Sequence, residues 1–292
     1  MPAPRFVHLR LHSEYSVTDG IVRIDDAVAT AAAEGMPALA LTDNANLFGM
    51  VKFYKAASAA GVKPLLGADC WIQNPVDRDK PSRLLLLCAS RDGYLRLSAL
   101  LSRAWLSNQH RARAEIARAW FDELGTEGLI ALSGAAAGDV GQALLAGNAA
   151  AAEKCAGAWD RLFPGRYYLE LQRAGFANGE SLLANTLALS VKAGLPVVAT
   201  HPVQFLAAED FQAHEARFCI AAGYLLGDPR RPRPFTAEQH WKSEQAMAQL
   251  FADVPQALEN AVEIARRCSY APELGKTRLP AFPTPEGVGI DA

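Results

Sequence analysis

The chain has little cysteine and no pairing pattern in what it has. Cys70, Cys88, Cys155, Cys219 and Cys268 lie far apart in 292 residues, with no CxxC among them. An odd, scattered set excludes a disulfide framework and a zinc knuckle, and it fits reduced thiols in a cytoplasmic compartment. Long hydrophobic runs are missing too. No apolar stretch reaches the ~20 residues a membrane span needs, and Met1-Pro2-Ala3-Pro4-Arg5 leads straight into a strand-like segment with no signal sequence. A membrane partner is not expected. Neither sign of charge dominates: 29 Lys and Arg against 31 Asp and Glu give a net charge of −2. Bulk electrostatics therefore gives no reason to hold duplex DNA or anionic lipid alone. The local basic clusters Arg111/Arg113/Arg118 and Arg230/Arg231/Arg233 read as solvated surface.

Several motifs are absent as well. No GxGxxG follows the first strand, which removes the fingerprint of a doubly wound nucleotide-binding sheet. Ser133 has no GxSxG elbow and no cysteine has a sequence-local base, so nucleophilic catalysis has little footing. His214-Glu215 lacks a second histidine one helical turn on, which disposes of a zincin reading.

What remains is a folded composition, 50% hydrophobic and 21% charged, which argues against disorder. Strand-like and helical segments alternate along it. Residues 6–11 read as a strand, 24–34 as a helix opened by Asp25 and Asp26, and 38–41 as a buried strand. Helix 47–60, strand 62–72, strand 84–87 and helix 91–106 follow. Later come strand 129–132, helices around 139–146 and 149–162, strand 167–171, helix 179–193 and strand 196–200. Repeated βα units predict a largely parallel sheet. His12, Asp43, Asp69, Ser133, Gln172 and His201 fall just after strands, as in a barrel whose chemistry gathers on one rim. The barrel core is expected over 1–206. A helical extension packed on it is expected over 207–278, with helices at 209–222, 243–251 and 255–267. Residues 279–292, with Leu279-Pro280-Ala281-Phe282-Pro283, read as a linker toward a further domain.

The most telling stretch is His8-Leu9-Arg10-Leu11-His12-Ser13-Glu14-Tyr15-Ser16-Val17-Thr18-Asp19-Gly20. It places imidazole and carboxylates at a strand end, as metal-binding barrels do. Arg10 disagrees, because a guanidinium has no lone pair and repels a bound cation. With Ala40-Leu41-Thr42-Asp43-Asn44, Leu66-Gly67-Ala68-Asp69 and Leu132-Ser133-Gly134-Ala135, this stretch resembles the polymerase-and-histidinol-phosphatase (PHP) domain. Within that family the likeness is to the N-terminal PHP regions of bacterial DNA polymerase III alpha subunits. It runs through residues 6–20, 35–49, 51–54, 61–69, 128–141, 167–175, 195–200, 227–232 and 250–268.

The resemblance implies an α/β fold, a PHP-type distorted (β/α)7 TIM-like barrel with a C-terminal helical extension. It also exposes departures. The first histidine of the family's HxH is Arg10, and only His12 remains. Its next acid is kept as Asp19. TDH becomes Thr42-Asp43-Asn44, and the glutamate after the third strand is Asp69. A histidine opening the next strand is Arg83, the cysteine of LSGC is Ala135, and a later histidine falls at Ala174. The closing TND stretch is Thr200-His201-Pro202-Val203-Gln204.

A divalent metal needs about four to six donors. His12, Asp19, Asp43, Asp69 and at most His201 could supply them, against two fixed positive charges. Arg10 and Arg83 are expected to pair with Asp19, Asp43 or Asp69 and so replace metal. No catalytic residue, and no residual Zn2+ or Mn2+, is then expected in this chain; Mg2+ would serve a polymerase palm beyond residue 292. The implied role is support of a replicative polymerase in a bacterial cytoplasm. The implied partners are its palm, thumb and fingers and a proofreading exonuclease subunit, with DNA met only through the whole enzyme. Two readings compete: an active metal-dependent phosphoesterase acting on 3′ termini or pyrophosphate, and an unrelated barrel hydrolase. The aspartates could also serve merely as loop and helix caps.

Overall fold

The computed structural model describes residues 6–276. Its strands are β1 (Ala38–Leu41), β2 (Lys63–Ile72), β3 (Ser82–Cys88), β4 (Gln109–His110), β5 (Arg113–Ile116), β6 (Leu129–Leu132), β7 (Tyr167–Leu171) and β8 (Val197–Ala199). Its helices are α1 (Ile24–Ala33), α2 (Met50–Ala59), α3 (Arg91–Ser107), α4 (Ala119–Leu124), α5 (Asp139–Leu145), α6 (Ala149–Leu162), α7 (Gly179–Ala193), α8 (Phe211–Ala222), α9 (Glu244–Leu250) and α10 (Pro255–Arg267).

Seven extended segments close into a barrel. The segment 6–11 lies along β1, with the Ala40 and Thr42 amides donating to the His8 and Leu11 carbonyls at 2.9 and 3.0 Å. β1 pairs with β2, β2 with β3, β3 with β6, β6 with β7 and β7 with β8. A parallel bridge between Leu11 and Val203 closes the ring. The distortion is β3, which runs antiparallel to both neighbours. Residues 73–81 between β2 and β3 hold no helix to carry the chain back, so it reverses. The expected run of uniform βα units fails here. It fails again at β4 and β5, a hairpin at 109–116 that adds to the end of β2 through Trp71 and Ile72.

The reversal has a functional consequence. It brings the start of β3, with Arg83 opposite Trp71, to the rim where the other strands end. Buried strands carry no alternation, and every residue of β1, β3, β6 and β7 is buried. One hydrophobic core runs from these strands into Met247 and Phe251 of the α9 region and Leu258, Ala261 and Ile264 of α10. The Asn260 side chain donates to the Val197 carbonyl at 2.7 Å, fixing α10 on β8. Arg173 ties the β7 end to α7 and to the α9–α10 turn, through Glu180 (3.0 Å) and Asp253 (2.7 Å). The expected linker at 279–292 lies outside the described residues.

Candidate functional site

At the rim, Asp69 acts as a hub of charge. Arg10 at the end of the first segment is buried, and its Nη1 donates to Asp69 Oδ2. Arg83 Nη2 lies 3.5 Å and His12 Nε2 3.3 Å from the same oxygen. Burial alone would raise the Asp69 carboxyl, but Arg10, then Arg83 and His12, hold it far below the usual range. Arg10 also forks onto Glu170 of β7, with Nε 3.2 Å from Oε1 and Nη2 3.0 Å from Oε2. Glu170 in turn accepts from the Gly134 amide at 2.6 Å and the Thr200 hydroxyl at 2.8 Å. Arg83 donates to Asn44 Oδ1 at 2.7 Å and lies 3.7 Å over the Trp71 ring.

His12 completes the cluster. Its Nδ1 lies 3.1 Å from Asp19 Oδ2. Burial disfavours the charged imidazole, but Asp19 and then Asp69 outweigh it and raise its pKa to about 9. A raised value favours the charged imidazole, in which both ring nitrogens are donors. Two backbone contacts from α8 roof this loop: His214 Nε2 donates to the Asp19 carbonyl at 2.8 Å, and Arg217 Nη2 to the Val17 carbonyl at 2.6 Å.

Asp43 stands apart from the arginines, against the expectation that they pair with it. It accepts from the Ser13 amide (2.7 Å), the Ser13 hydroxyl (2.9 Å) and the Ser16 hydroxyl (2.8 Å). Burial raises its pKa while these donors oppose the rise. The cap-like reading of Asp43 is the correct one, and Asp43→Asn acts on the 13–20 loop and leaves no guanidinium unpaired. An amide keeps one acceptor oxygen where two now serve, so the expected cost is about 1–3 kcal/mol. Denaturant unfolding checks this. A loss near zero would show that the serines re-pair with water.

Ala135 begins a turn after β6, buried, with φ of 46° and no donor to give. Pro202 is buried beside His201. His201 points away from the cluster: its Nε2 meets the His240 carbonyl at 2.8 Å, and its ring lies 6.2 Å from that of His8. Sequence reasoning missed Glu170 and Gln204, whose amide nitrogen lies 3.3 Å from His12 Nδ1. A signal for Glu170 existed. It is the single charge in the otherwise apolar run Tyr167-Tyr168-Leu169-Glu170-Leu171.

A model of the PHP domain matches residues 8–174. The chain belongs to the PHP domain family. Over 98% of its length it is 48% identical to the DNA polymerase III subunit alpha of Pseudomonas aeruginosa, and over 97% it is 48% identical to that of Escherichia coli. It spans about a quarter (24%) of each of these relatives. Among solved structures, an amidohydrolase from Chromobacterium violaceum with bound sulfate and no metal aligns at 14% identity and a TM-score of 0.46. That alignment covers 72% of this chain and 96% of that one.

The resemblance implies metal ligands among the histidines and acids at this rim. Asp69 Oδ2 is already shared by Arg10, His12 and Arg83. Among the described residues no group of three or more His, Cys, Asp or Glu side chains is disposed to hold a metal ion. No described helix is long and apolar enough to cross a membrane.

Proposed function

We propose that this chain is the PHP region of a bacterial DNA polymerase III alpha subunit, and that it supports the polymerase in DNA replication without phosphoesterase chemistry of its own. One observation carries the second half: the Arg10 guanidinium sits between Asp69 and Glu170, where a metal-dependent site would need a cation that can be exchanged. Guanidinium is a fixed charge on a covalent tether, so it neutralises the carboxylates permanently and activates no water. The first half rests on likeness along nearly the whole chain to alpha subunits four times its length. On this reading the partners are the palm, thumb and fingers of the same subunit and a separate proofreading exonuclease subunit. DNA is met through the assembled enzyme, Mg2+ serves the palm, and the compartment is the cytoplasm.

Elemental analysis of the purified chain after dialysis tests the reading, together with hydrolysis of pyrophosphate and of a 3′-labelled oligonucleotide. The expected result is zinc and manganese far below stoichiometry and no turnover above buffer. Stoichiometric metal that survives dialysis, with activity abolished by a chelator, would establish the phosphoesterase instead.

A further inference from the structure

Four non-glycine residues of the described structure have positive φ, and three of them gather at one surface groove: Ala45 (51°), Arg111 (48°) and Ala112 (61°). Left-handed backbone without glycine is strained, and such strain persists where the surroundings enforce it, often at binding sites. Ala45 and Ala112 line an open groove of about 390 Å³ beside the rim, with Phe48, Trp71, Trp105 and Arg113. Arg111 is the neighbouring residue in the β4–β5 turn.

The groove is rich in uncovered aromatic surface. Phe48 is 66% exposed and Trp105 37%. The Trp105 ring and the Phe48 backbone are held in place. The Trp105 indole N–H donates to the Ala45 carbonyl at 2.8 Å, and the Phe48 amide donates to Asn46 Oδ1 at 3.0 Å. Trp71 is different, because Arg83 already lies 3.7 Å over its ring. Phe48 and Trp105 are therefore the rings free to take a planar partner.

Charge narrows the partner. The lining holds one cation, Arg113, and no carboxylate. Arg113 is anchored from behind by the buried Glu115 at 3.3 Å, and Glu115 is shared with Arg78. Two guanidinium groups on one carboxylate leave a net positive charge. Arg111 at the hairpin tip is 67% exposed along its side chain and engages Asp79 at 2.7 Å. Exposed pairs of this kind exchange at little cost. Aromatic faces beside arginines, with no carboxylate in the lining, suit a flat base carrying a phosphate.

We propose that this groove binds a nucleobase, stacked on Phe48 and Trp105, with the attached phosphate on Arg113 and Arg111. The base can come from a free nucleotide or from single-stranded nucleic acid, and the proposal goes beyond the supporting role assigned to the fold. It is tested on this chain with a fluorescently labelled oligothymidylate at low salt, followed by anisotropy, with dTMP as competitor. Binding of the oligonucleotide weakens roughly 5- to 150-fold in Phe48→Ala, the range for losing one base stack. Added salt weakens it as well. Competition by dTMP assigns the site to single nucleotides, and its failure assigns it to a strand. Phe48 is mostly in solvent, so an unchanged melting temperature of the variant excludes misfolding as the cause. Absence of binding to either probe overturns the proposal, as does equal affinity of the wild type and both Phe48→Ala and Arg113→Gln. Because metal content is unaffected by any of these outcomes, the supporting role stands or falls separately.

Discussion

Arg10→Met is expected to destabilise the chain by about 3–5 kcal/mol, the range for removing one partner of a buried ion pair. The side chain fills similar volume, so the loss is electrostatic and not a cavity. Two carboxylates are left behind. Asp69 keeps Arg83 and His12, but Glu170 keeps only the Gly134 amide and the Thr200 hydroxyl. Glu170 is 3% exposed and, among the described residues, has no second cation in contact, so it carries most of the penalty. Adding Glu170→Gln to Arg10→Met should restore a substantial share of the loss, because the buried charge disappears with its partner. Arg10→Lys should fall between, since an ammonium offers a point charge and cannot fork onto Glu170 while reaching Asp69. Urea midpoints for the wild type, Arg10→Met, Glu170→Gln and the double variant form the cycle, with Arg10→Lys measured beside them. If Arg10→Met unfolds at the wild-type midpoint and takes up stoichiometric manganese, Arg10 is a recent plug on a living metal site and not its replacement.

How much of this was legible beforehand follows from what each residue type reveals alone. Helix and strand positions came through well where apolar spacing was clean, as at 149–162 and 167–171. The direction of β3 did not, because an unalternating Leu84-Leu85-Leu86-Leu87 is equally buried whichever way it runs. The β4–β5 hairpin escaped because its turn, Arg111-Ala112, carries no glycine, asparagine or aspartate to announce it. In the site, Arg10 and Arg83 stood out because arginine is chemically wrong for a ligand position. Glu170 was hidden by being right for many positions. Asp43 was misassigned for a related reason: a carboxylate near two arginines attracts them on paper. In the fold the serines at 13 and 16 are closer in chain geometry and satisfy it first. Sequence ranks candidate partners by charge, whereas the folded loop ranks them by reach.

Two sets of histidines make the protein's stability depend on pH in opposite senses. His8 and His201 are buried, and each presents Nε2 to a carbonyl of the segment leading to α9, at Lys242 and His240, both at 2.8 Å. Burial lowers the pKa of His8 to about 3, with His201 adding to the effect. It lowers that of His201 to about 4 against the pull of the His240 carbonyl. A group with a depressed folded value stabilises the fold above its unfolded value of 6.5, and loses that contribution as pH falls through about 4 and then 3. His12 works the other way. Its raised value stabilises the fold below 6.5, and the contribution fades as pH rises through about 9. The carboxylates separate from this pattern, because the unfolded value of Asp19 and Asp69 is 3.8 and their loss begins only near and below it. Between pH 6.5 and 4.5 the decline in stability therefore belongs to the buried histidines, His214 among them because burial lowers its value too. His8 and His201 each contribute on the order of 3–5 kcal/mol over the full range. Urea midpoints measured across pH 4.5–9.5 should form a dome that falls on both sides. His201→Gln should flatten the acid side, since an amide can still donate to His240 and takes up no proton. His12→Gln should flatten the alkaline side at a lower overall stability. A midpoint constant from pH 6.5 to 4.5 would mean that the segment around His240 opens before either imidazole is charged, and that the histidines do not clasp it.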